Sequence, residues 1–543
     1  MIKEIGKREY VAGIMIALGV SGFLSGCSVQ GDSEPLVTLS PESAVVTLGT
    51  TKQFVLATGG TAATWSVNNV GGGNSTVGTI SSDGLYTAPP LSAIDTTEVP
   101  ENVSIKGTDA SGSSGSSIAF LTTFKTNKRL TQYTTGAFRA NTYSAGQRGI
   151  AVYKDGSGNT IVYAVWSDDS EGLSRVWFAK SSDGGTAFDA PLTVDEGISP
   201  QQISPAIAVD GSGNVYIVWE DYREGDADIF IKKYDGSGFG SRNKVNSAET
   251  GIVDYDTTPS IAVNTLGDIY VVWEHRDDSI DDRPDIYFAR STNQGQTFSQ
   301  SSIDIEGRRP SIAVDVSGIA YVVWEGLTQF PDSAPTHVMM SKIESGGPGT
   351  PQQLDSLPAP YHARYPSVAV GPGDKVYVVW ERAVILHPDF SGEVISTYYI
   401  DLATVNGATL AVLDTILTFP DDPNEGVFGG RAYPSIAADN TNLYVVWDDQ
   451  RNGTKDIYFA KSSNGAIFTT NRIVNDETGT WHEKPGIAIS DGKAYVIWTD
   501  YRNTLGLTTP CLSDICPNDV FFAREAREDE ENNPPLPPLE KGG

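Results

Sequence analysis

Residues 259–275 read PSIAVNTLGDIYVVWEH. Two apolar, β-branched runs, 261–263 and 269–273, flank a short polar turn carrying Gly267. Each run is too short for a buried helix and suits a strand, so the phrase reads as two antiparallel strands joined tightly. The same phrase returns along the chain: PAIAVDGSGNVYIVWED at 205–221, PSIAVDVSGIAYVVWEG at 310–326 and PSVAVGPGDKVYVVWER at 366–382. Shorter versions stand at 434–449 (PSIAADNTNLYVVWDD) and 485–500 (PGIAISDGKAYVIWTD), and an earlier copy, RGIAVYKDGSGNTIVYAVWSD, at 148–168.

The marker tryptophans are Trp166, Trp219, Trp273, Trp324, Trp380, Trp447 and Trp498, spaced by 53, 54, 51, 56, 67 and 51 residues. After each comes a polar loop, a DIYFAKS-like strand and a weaker RIVN-like strand. Four strands repeated seven times predict a β-propeller, its strands apolar on both faces because every blade packs on two neighbours. The last copy stops at its third strand, 519–524, before a charged, Pro-rich tail. Residues 127–133, NKRLTQY, resemble the fourth strand at 471–475, NRIVN. The expectation is that this early strand completes the last blade and removes an open edge.

Upstream, residues 36–58 (LVTLSPESAVVTLGTTKQFVLAT), then TWSVN, a GGG turn and VGTISSDGLYTAPP, show short alternating strands. Their order resembles bacterial Ig-like domains of the BIG type, which implies a small sandwich with Trp65 in its core and a spacer role. At the start, Lys3, Lys7 and Arg8 lead into an uncharged run that ends Leu24-Ser25-Gly26-Cys27. The run is short for a membrane span and suits a signal peptide. Its end resembles the lipobox of bacterial lipoproteins, implying a lipid on Cys27, and Ser28 resembles the outer-membrane sorting pattern. The domain expectation is therefore a signal peptide at 1–27, a tether at 28–34, an Ig-like domain at 35–125, a seven-bladed propeller at 126–527 and a tail at 528–543. The fold class is all-β. The expected location is the cell envelope, held to the membrane by the N-terminal lipid, in the outer membrane where the host has one.

With 68 acidic against 38 basic residues the net charge is −30, which repels phosphate backbones and argues against a nucleic-acid partner. Cys511 and Cys516 share the loop PCLSDICPND, and an exported chain meets oxidising conditions, so a disulfide is expected. His275, His337, His362, His387 and His482 lack metal-ligand spacing, and no phosphate-binding loop appears. No metal and no cofactor are expected.

An Asp/Arg cluster recurs in WEDYREGDADIF, WEHRDDSIDDRPDIYF, WDDQRNGTKDIYF and WTDYRN. It repeats Arg223, Arg276, Arg451 and Arg502, and Asp228, Asp285, Asp456 and Asp519. Chemistry needs one constellation in one place, so a repeated cluster reads as architecture, with arginines fixing the loops through charge-assisted bonds. SSDGGTAF (181–188), STNQGQTF (291–298) and SSNGAIF (462–468) resemble the Asp-box hairpins of sialidase-type propellers. That resemblance implies a fold more than an activity. A sialidase needs three arginines around the axis, a Tyr activated by Glu, and an acidic acid/base. Arg148, Arg309, Arg364 and Arg431 precede inner strands, Tyr365 and Tyr433 adjoin two of them, and Trp481 and Glu483 precede the last. The family's F/Y-R-I-P signature is absent, and neither the Tyr/Glu pair nor the Asp is assigned. The long insertions after Trp324, Trp380 and Trp498 crowd the same rim. The expectation is a binding face for a glycan or envelope protein, with these eight residues as ligand-binding candidates. A sialidase-like hydrolase or other carbohydrate-active enzyme is the alternative, and an envelope scaffold a third.

Overall fold

The computed structural model describes residues 37–57, 64–95, 99–125, 127–131, 140–141, 149–170, 172–195, 201–247, 254–277, 283–304, 306–327, 335–358, 361–371, 375–386, 394–412, 417–418, 431–502 and 518–526. The expectations for the signal peptide and Cys27, for Cys511 and Cys516, for Arg148, for the tail and for most of the insertions lie outside these residues.

Regular structure among the described residues is β throughout, apart from a 3-10 turn at Leu91–Asp95. In the N-terminal unit Asn102–Thr108 alternates strictly, with Val103 and Ile105 buried and Ser104 and Lys106 exposed, as a half-buried strand must. It pairs with Ser114–Thr122 and Thr64–Val67 in a five-stranded sheet, whose edge strand Ser43–Thr47 runs parallel to Ser114–Thr122. Thr51–Gln53, Leu85–Thr87, Gly78–Ile80 and Gly73–Asn74 form a second, four-stranded sheet. One core joins both, built from Phe54, Trp65, Tyr86, Ile105 and Leu121 among others.

The repeats form seven further antiparallel sheets among the described residues, each built on a meander of sequence neighbours, with Ala140–Asn141 added beside Thr160–Asp168 in the first and Lys128–Arg129 beside Asp519–Arg524 in the last. Their first strands are Ile150–Lys154, Gln202–Val209, Asp254–Val263, Gly307–Val314, Tyr361–Val370, Arg431–Ala438 and His482–Ser490. Each lies beside the next, and Ile150–Lys154 touches both Gln202–Val209 and His482–Ser490, so the circuit returns to its start. These strands enclose a cavity of about 290 Å³ lined by Val152, Val209, Val263, Val314, Val370 and Ile489 among others. The marker tryptophans are all buried to 1% exposure or less. Each core cluster mixes adjacent sheets: Tyr163 and Phe178 of the first pack with Ile217 and Trp219 of the second. That accounts for strands that are apolar on both faces.

The last sheet has the order Lys128–Arg129, Asp519–Arg524, Lys493–Asp500, His482–Ser490. Leu130 N–H donates to the Val520 carbonyl at 2.8 Å, and the Arg129 guanidinium meets Asp519 at 2.7 Å. The two units are also tied directly. Arg472 of the sixth sheet donates to the carbonyls of Val99 (2.8 Å) and Pro100 (2.6 Å), and the hydroxyls of Ser43 and Thr478 share a hydrogen bond (2.9 Å).

The hairpins at Ser181, Ser291 and Ser462 share one construction. The first serine's hydroxyl accepts the amide of Gly185, Gly295 or Gly465 at 2.9 Å, and Asp183, Asn293 or Asn464 caps the following amides. An amide side chain accepts these bonds as a carboxylate does, so the Asp-to-Asn changes leave the turn intact.

Candidate active site at the channel mouth

Six inner strands carry the same irregularity near their start. Ser204, Thr258, Arg309, Tyr365, Tyr433 and Lys484 all have positive φ, between 49° and 56°, and each precedes a proline. Pairing with the second strand slips by one residue there, as between Arg364 and Ser367. This is a β-bulge, which re-aims side chains and turns an amide out of the ladder. A non-glycine residue at such φ is strained and persists only where neighbours hold it.

The neighbour that holds it is the residue after the marker tryptophan of the preceding sheet. Glu220 accepts the Thr258 amide (3.3 Å), Glu274 the Arg309 amide (2.7 Å) and Glu325 the Tyr365 amide (2.6 Å). Carboxyls thus clasp the second sheet to the third, the third to the fourth and the fourth to the fifth at one end of the channel.

Across the fourth to seventh sheets this end acquires chemistry. Glu325 is fully buried, and its two oxygens meet Arg309 Nη1 at 2.9 Å each while Arg308 Nε reaches one at 2.7 Å. Burial opposes its ionisation, but Arg309, Arg308 and the Tyr365 amide outweigh burial and hold it below the usual range. Arg309 lies 4.3 Å from the Tyr365 ring centroid and Arg364 lies 5.2 Å from it. Tyr365 packs on Tyr433 with centroids 4.5 Å apart.

The next two carboxyls differ. Glu381 stands opposite Arg364 in the strand pair, and Asp448 opposite Ala432. Glu381 Oε1 and both Asp448 oxygens are buried without a hydrogen-bond partner, as is Arg364 Nε. Burial pushes Glu381 up to about 7, with Arg364 pulling down and Asp448 pushing further up. Burial likewise pushes Asp448 up to about 7, against Lys455, whose ammonium is 3.7 Å away, and aided by Glu483. Burial and then Tyr365 push the Tyr433 phenol far up, so it stands as a protonated donor. Two buried carboxyls raised toward neutrality thus stand beside two tyrosines and a guanidinium nitrogen without a hydrogen-bond partner, the kind of arrangement in which protons can be exchanged.

The seventh sheet closes the cluster. Glu483 accepts from Tyr501 (2.8 Å) and from Lys455 (3.4 Å); burial opposes its ionisation, but Lys484, Lys455 and Tyr501 keep it below the usual range. Lys455 Nζ sits 5.4 Å from the Trp481 ring and 5.5 Å from that of Tyr433. Arg309, Arg364, Tyr365, Tyr433, Trp481 and Glu483 are therefore gathered at one mouth. Arg431 starts its strand opposite Asp449, and its side chain is outside the described residues. Glu325, Glu381, Asp448 and Lys455 were not candidates from sequence. For the three carboxyls a signal was present in the acidic residue that follows five of the seven tryptophans, in WED, WEH, WEG, WER and WDD.

The repeated arginines lie elsewhere. Arg223 bonds Asp221 and Asp195, Arg451 bonds Asp449, and Arg502 bonds Asp500 (2.8 Å) and Asp476 (2.6 Å). The same aspartates accept the indole N–H of Trp219, Trp447 and Trp498 at 2.9–3.0 Å. Arg276 stacks 5.0 Å from the Tyr255 ring. The repeated aspartates hold fourth strands instead: Asp228 pairs with Lys244 (2.7 Å), Asp456 with Asn475 (2.8 Å) and Asp519 with Arg129, while Asp285 accepts the Glu306 amide (3.1 Å).

The chain matches no family model and no curated protein sequence. Among solved structures it is similar to the polysaccharide lyase Uly1 at 10% identity and TM-score 0.45, over 70% of this chain and 90% of that one. The GH93 α-L-arabinofuranosidase of Fusarium graminearum matches at 10% identity and TM-score 0.42, over 75% and 99%. The NanB sialidase of Streptococcus pneumoniae matches at 10% identity and TM-score 0.38, over 65% and 71%.

Proposed function

We propose that this chain is a carbohydrate-active enzyme that hydrolyses an acidic glycan at the Tyr365/Tyr433 mouth. The seven sheets are read as a seven-bladed β-propeller and the N-terminal unit as an Ig-like spacer. A lipid on Cys27 would anchor both to the cell envelope. One observation supports the enzymatic reading: Glu381 and Asp448 are buried beside Tyr433, Glu381 Oε1 has no hydrogen-bond partner, and burial pushes both carboxyls up to about 7. A group of that pKa is suited to give and take protons at neutral pH. In hydrolysis one carboxyl donates its proton to the departing glycosidic oxygen. The other, ionised, takes a proton from the attacking water, so water is divided between the two products. Arg364 Nε, buried and unpaired, supplies the donor for an acidic group on the sugar.

The test is a panel of sialylated, uronate-containing and sulfated glycans, followed by release of reducing ends. Glu381→Gln and Asp448→Asn should each lower kcat by about 10²–10⁴-fold while leaving the fold intact. Absence of cleavage across the panel would remove the enzymatic reading. The second reading, glycan or envelope-protein binding, is favoured by Arg309, which is already locked to Glu325. It predicts retention of an acidic glycan without turnover, weakened by Arg364→Ala.

A further inference from the structure

The third sheet departs from the repeat on the side of its second strand that faces the second sheet. Where four of the other repeats have an aspartate two residues after the tryptophan (Asp168, Asp221, Asp449 and Asp500), this one has His275. Asp256 of the inner strand takes over as acceptor for the Trp273 indole N–H, at 2.5 Å. Asp254 precedes it by two residues and so shares its face of the strand. One donor atom from each of Asp254, Asp256 and His275 lies within 4.8 Å of the other two. The three residues are 6%, 1% and 5% exposed. Asp254 Oδ2 is buried with no hydrogen-bond partner.

The surroundings fix the other two groups in place. Asn246, from the end of the second sheet, bonds both Asp228 and Asp256, and the Asp256 amide donates to the Ala227 carbonyl at 2.8 Å. The His275 imidazole packs 4.2 Å from the Tyr287 ring and meets Asp256 Oδ1 at 2.9 Å. Such outer contacts orient ligating groups.

We infer that Asp254, Asp256 and His275 form a binding site for a divalent transition-metal ion, Zn²⁺ or Mn²⁺, in the seam between the second and third sheets. Two buried carboxylates with a neutral imidazole carry a charge that one divalent ion cancels. Three protein ligands leave a coordination position for solvent, and the imidazole selects Zn²⁺ or Mn²⁺ over Ca²⁺. The ion joins two strands of one sheet and, through Asn246, the sheet before it. This site is separate from the carboxyl cluster at the mouth, and it stands whether or not that cluster is catalytic.

The experiment uses the purified full chain, stripped with chelator and titrated with ZnCl₂, MnCl₂ or CaCl₂ alone. The expected result is one equivalent of Zn²⁺ or Mn²⁺ bound, tighter than Ca²⁺, with a rise in Tm. His275→Ala and Asp254→Asn should each weaken that binding at least tenfold, by the usual order for a lost ligand or its support. Asp155→Ala, in an exposed turn of the first sheet, should leave it unchanged. Substoichiometric binding to the wild type, or binding that survives both substitutions, overturns the assignment. Should a variant fail to fold, the X-ray absorption spectrum of the Zn²⁺-loaded wild type decides: one imidazole with oxygen ligands supports the site, and any other ligand set overturns it.

Discussion

Asp448 and Glu325 show how the same place after the tryptophan can hold a paired or an unpaired carboxyl, whatever the length of its side chain. In the fourth sheet Glu325 reaches across the seam and is satisfied by two arginines and an amide. Asp448 occupies the same place after its tryptophan, and neither oxygen finds a hydrogen bond. Its folded pKa is raised from 3.8 to about 7, and that of Glu381 from 4.5 to about 7. A raised carboxyl pKa means the folded state keeps a proton that the unfolded chain has released. The contribution of these two groups to stability therefore falls as pH rises from about 4 to about 7, then levels. The Glu381→Gln/Asp448→Asn double variant should flatten that decline in Tm relative to wild type, measured by calorimetry across the range. An unchanged slope would show that both groups are ionised well below neutrality. Arg451 makes the opposite case. Its guanidinium meets Asp449 and reaches Glu101 of the N-terminal unit at 3.4 Å. Arg451→Ala should lower stability by about 1–3 kcal/mol, by stranding a buried carboxylate, with activity per folded molecule unchanged.

The bulge at the start of the inner strands is the element on which the mouth depends. At Thr258, Arg309 and Tyr365 its amide donates to a carboxyl from the sheet before, so geometry passes from one sheet to the next. Glu325→Ala would leave Arg309, Arg308 and the Tyr365 amide without their acceptor and should cost about 3–5 kcal/mol. Glu325→Gln keeps an acceptor for the amide and should cost less; denaturant melts of the two variants compare them. Equal losses would mean that charge, not the amide clasp, sets the bulge. Sequence showed the strands of this element plainly, because PSIAV and YVVWE alternate with turns at a constant spacing. It did not show the clasp. Positive φ before proline has no residue signature when Ser, Thr, Arg, Tyr and Lys all occupy the position. The partners also come from the adjacent repeat, 35 to 40 residues away in sequence. For the same reason the arginines and tyrosines of the mouth were legible as types, while the carboxyls with which they interact were not. The histidines were judged by local spacing, which cannot reveal that Asp254 and His275 face each other across a strand pair.

At the scale of the molecule, the ring is held by one short strand from the other end of the chain. Leu130 is 3% exposed, and its amide is bonded to Val520. Leu130→Pro removes that donor and the buried side chain together. The variant should expose the edge at Asp519–Arg524 and aggregate, although the change lies far in sequence from the seventh repeat. Removal of 530–543, which is polar and Pro-rich, should leave size-exclusion behaviour unchanged. A monomeric, stable Leu130→Pro protein would show that the circuit holds without its clasp. The repeat count and the pairing of 128–129 follow from periodicity and from the missing fourth strand, both written in the sequence.

That pairing also has a meaning in time. Arg129 is synthesised 390 residues before Asp519, its partner. Through that interval the nascent chain can stack sheets only as an open arc, with the first sheet's Phe188 awaiting the Phe522 ring against which it finally rests, 4.9 Å away. A ribosome that stops early, or a protease that clips the last repeat, leaves an arc with two adhesive ends and no means of closing it. Only a chain that extends through Asp519–Arg524 can pair that edge with Lys128–Arg129 and cover it.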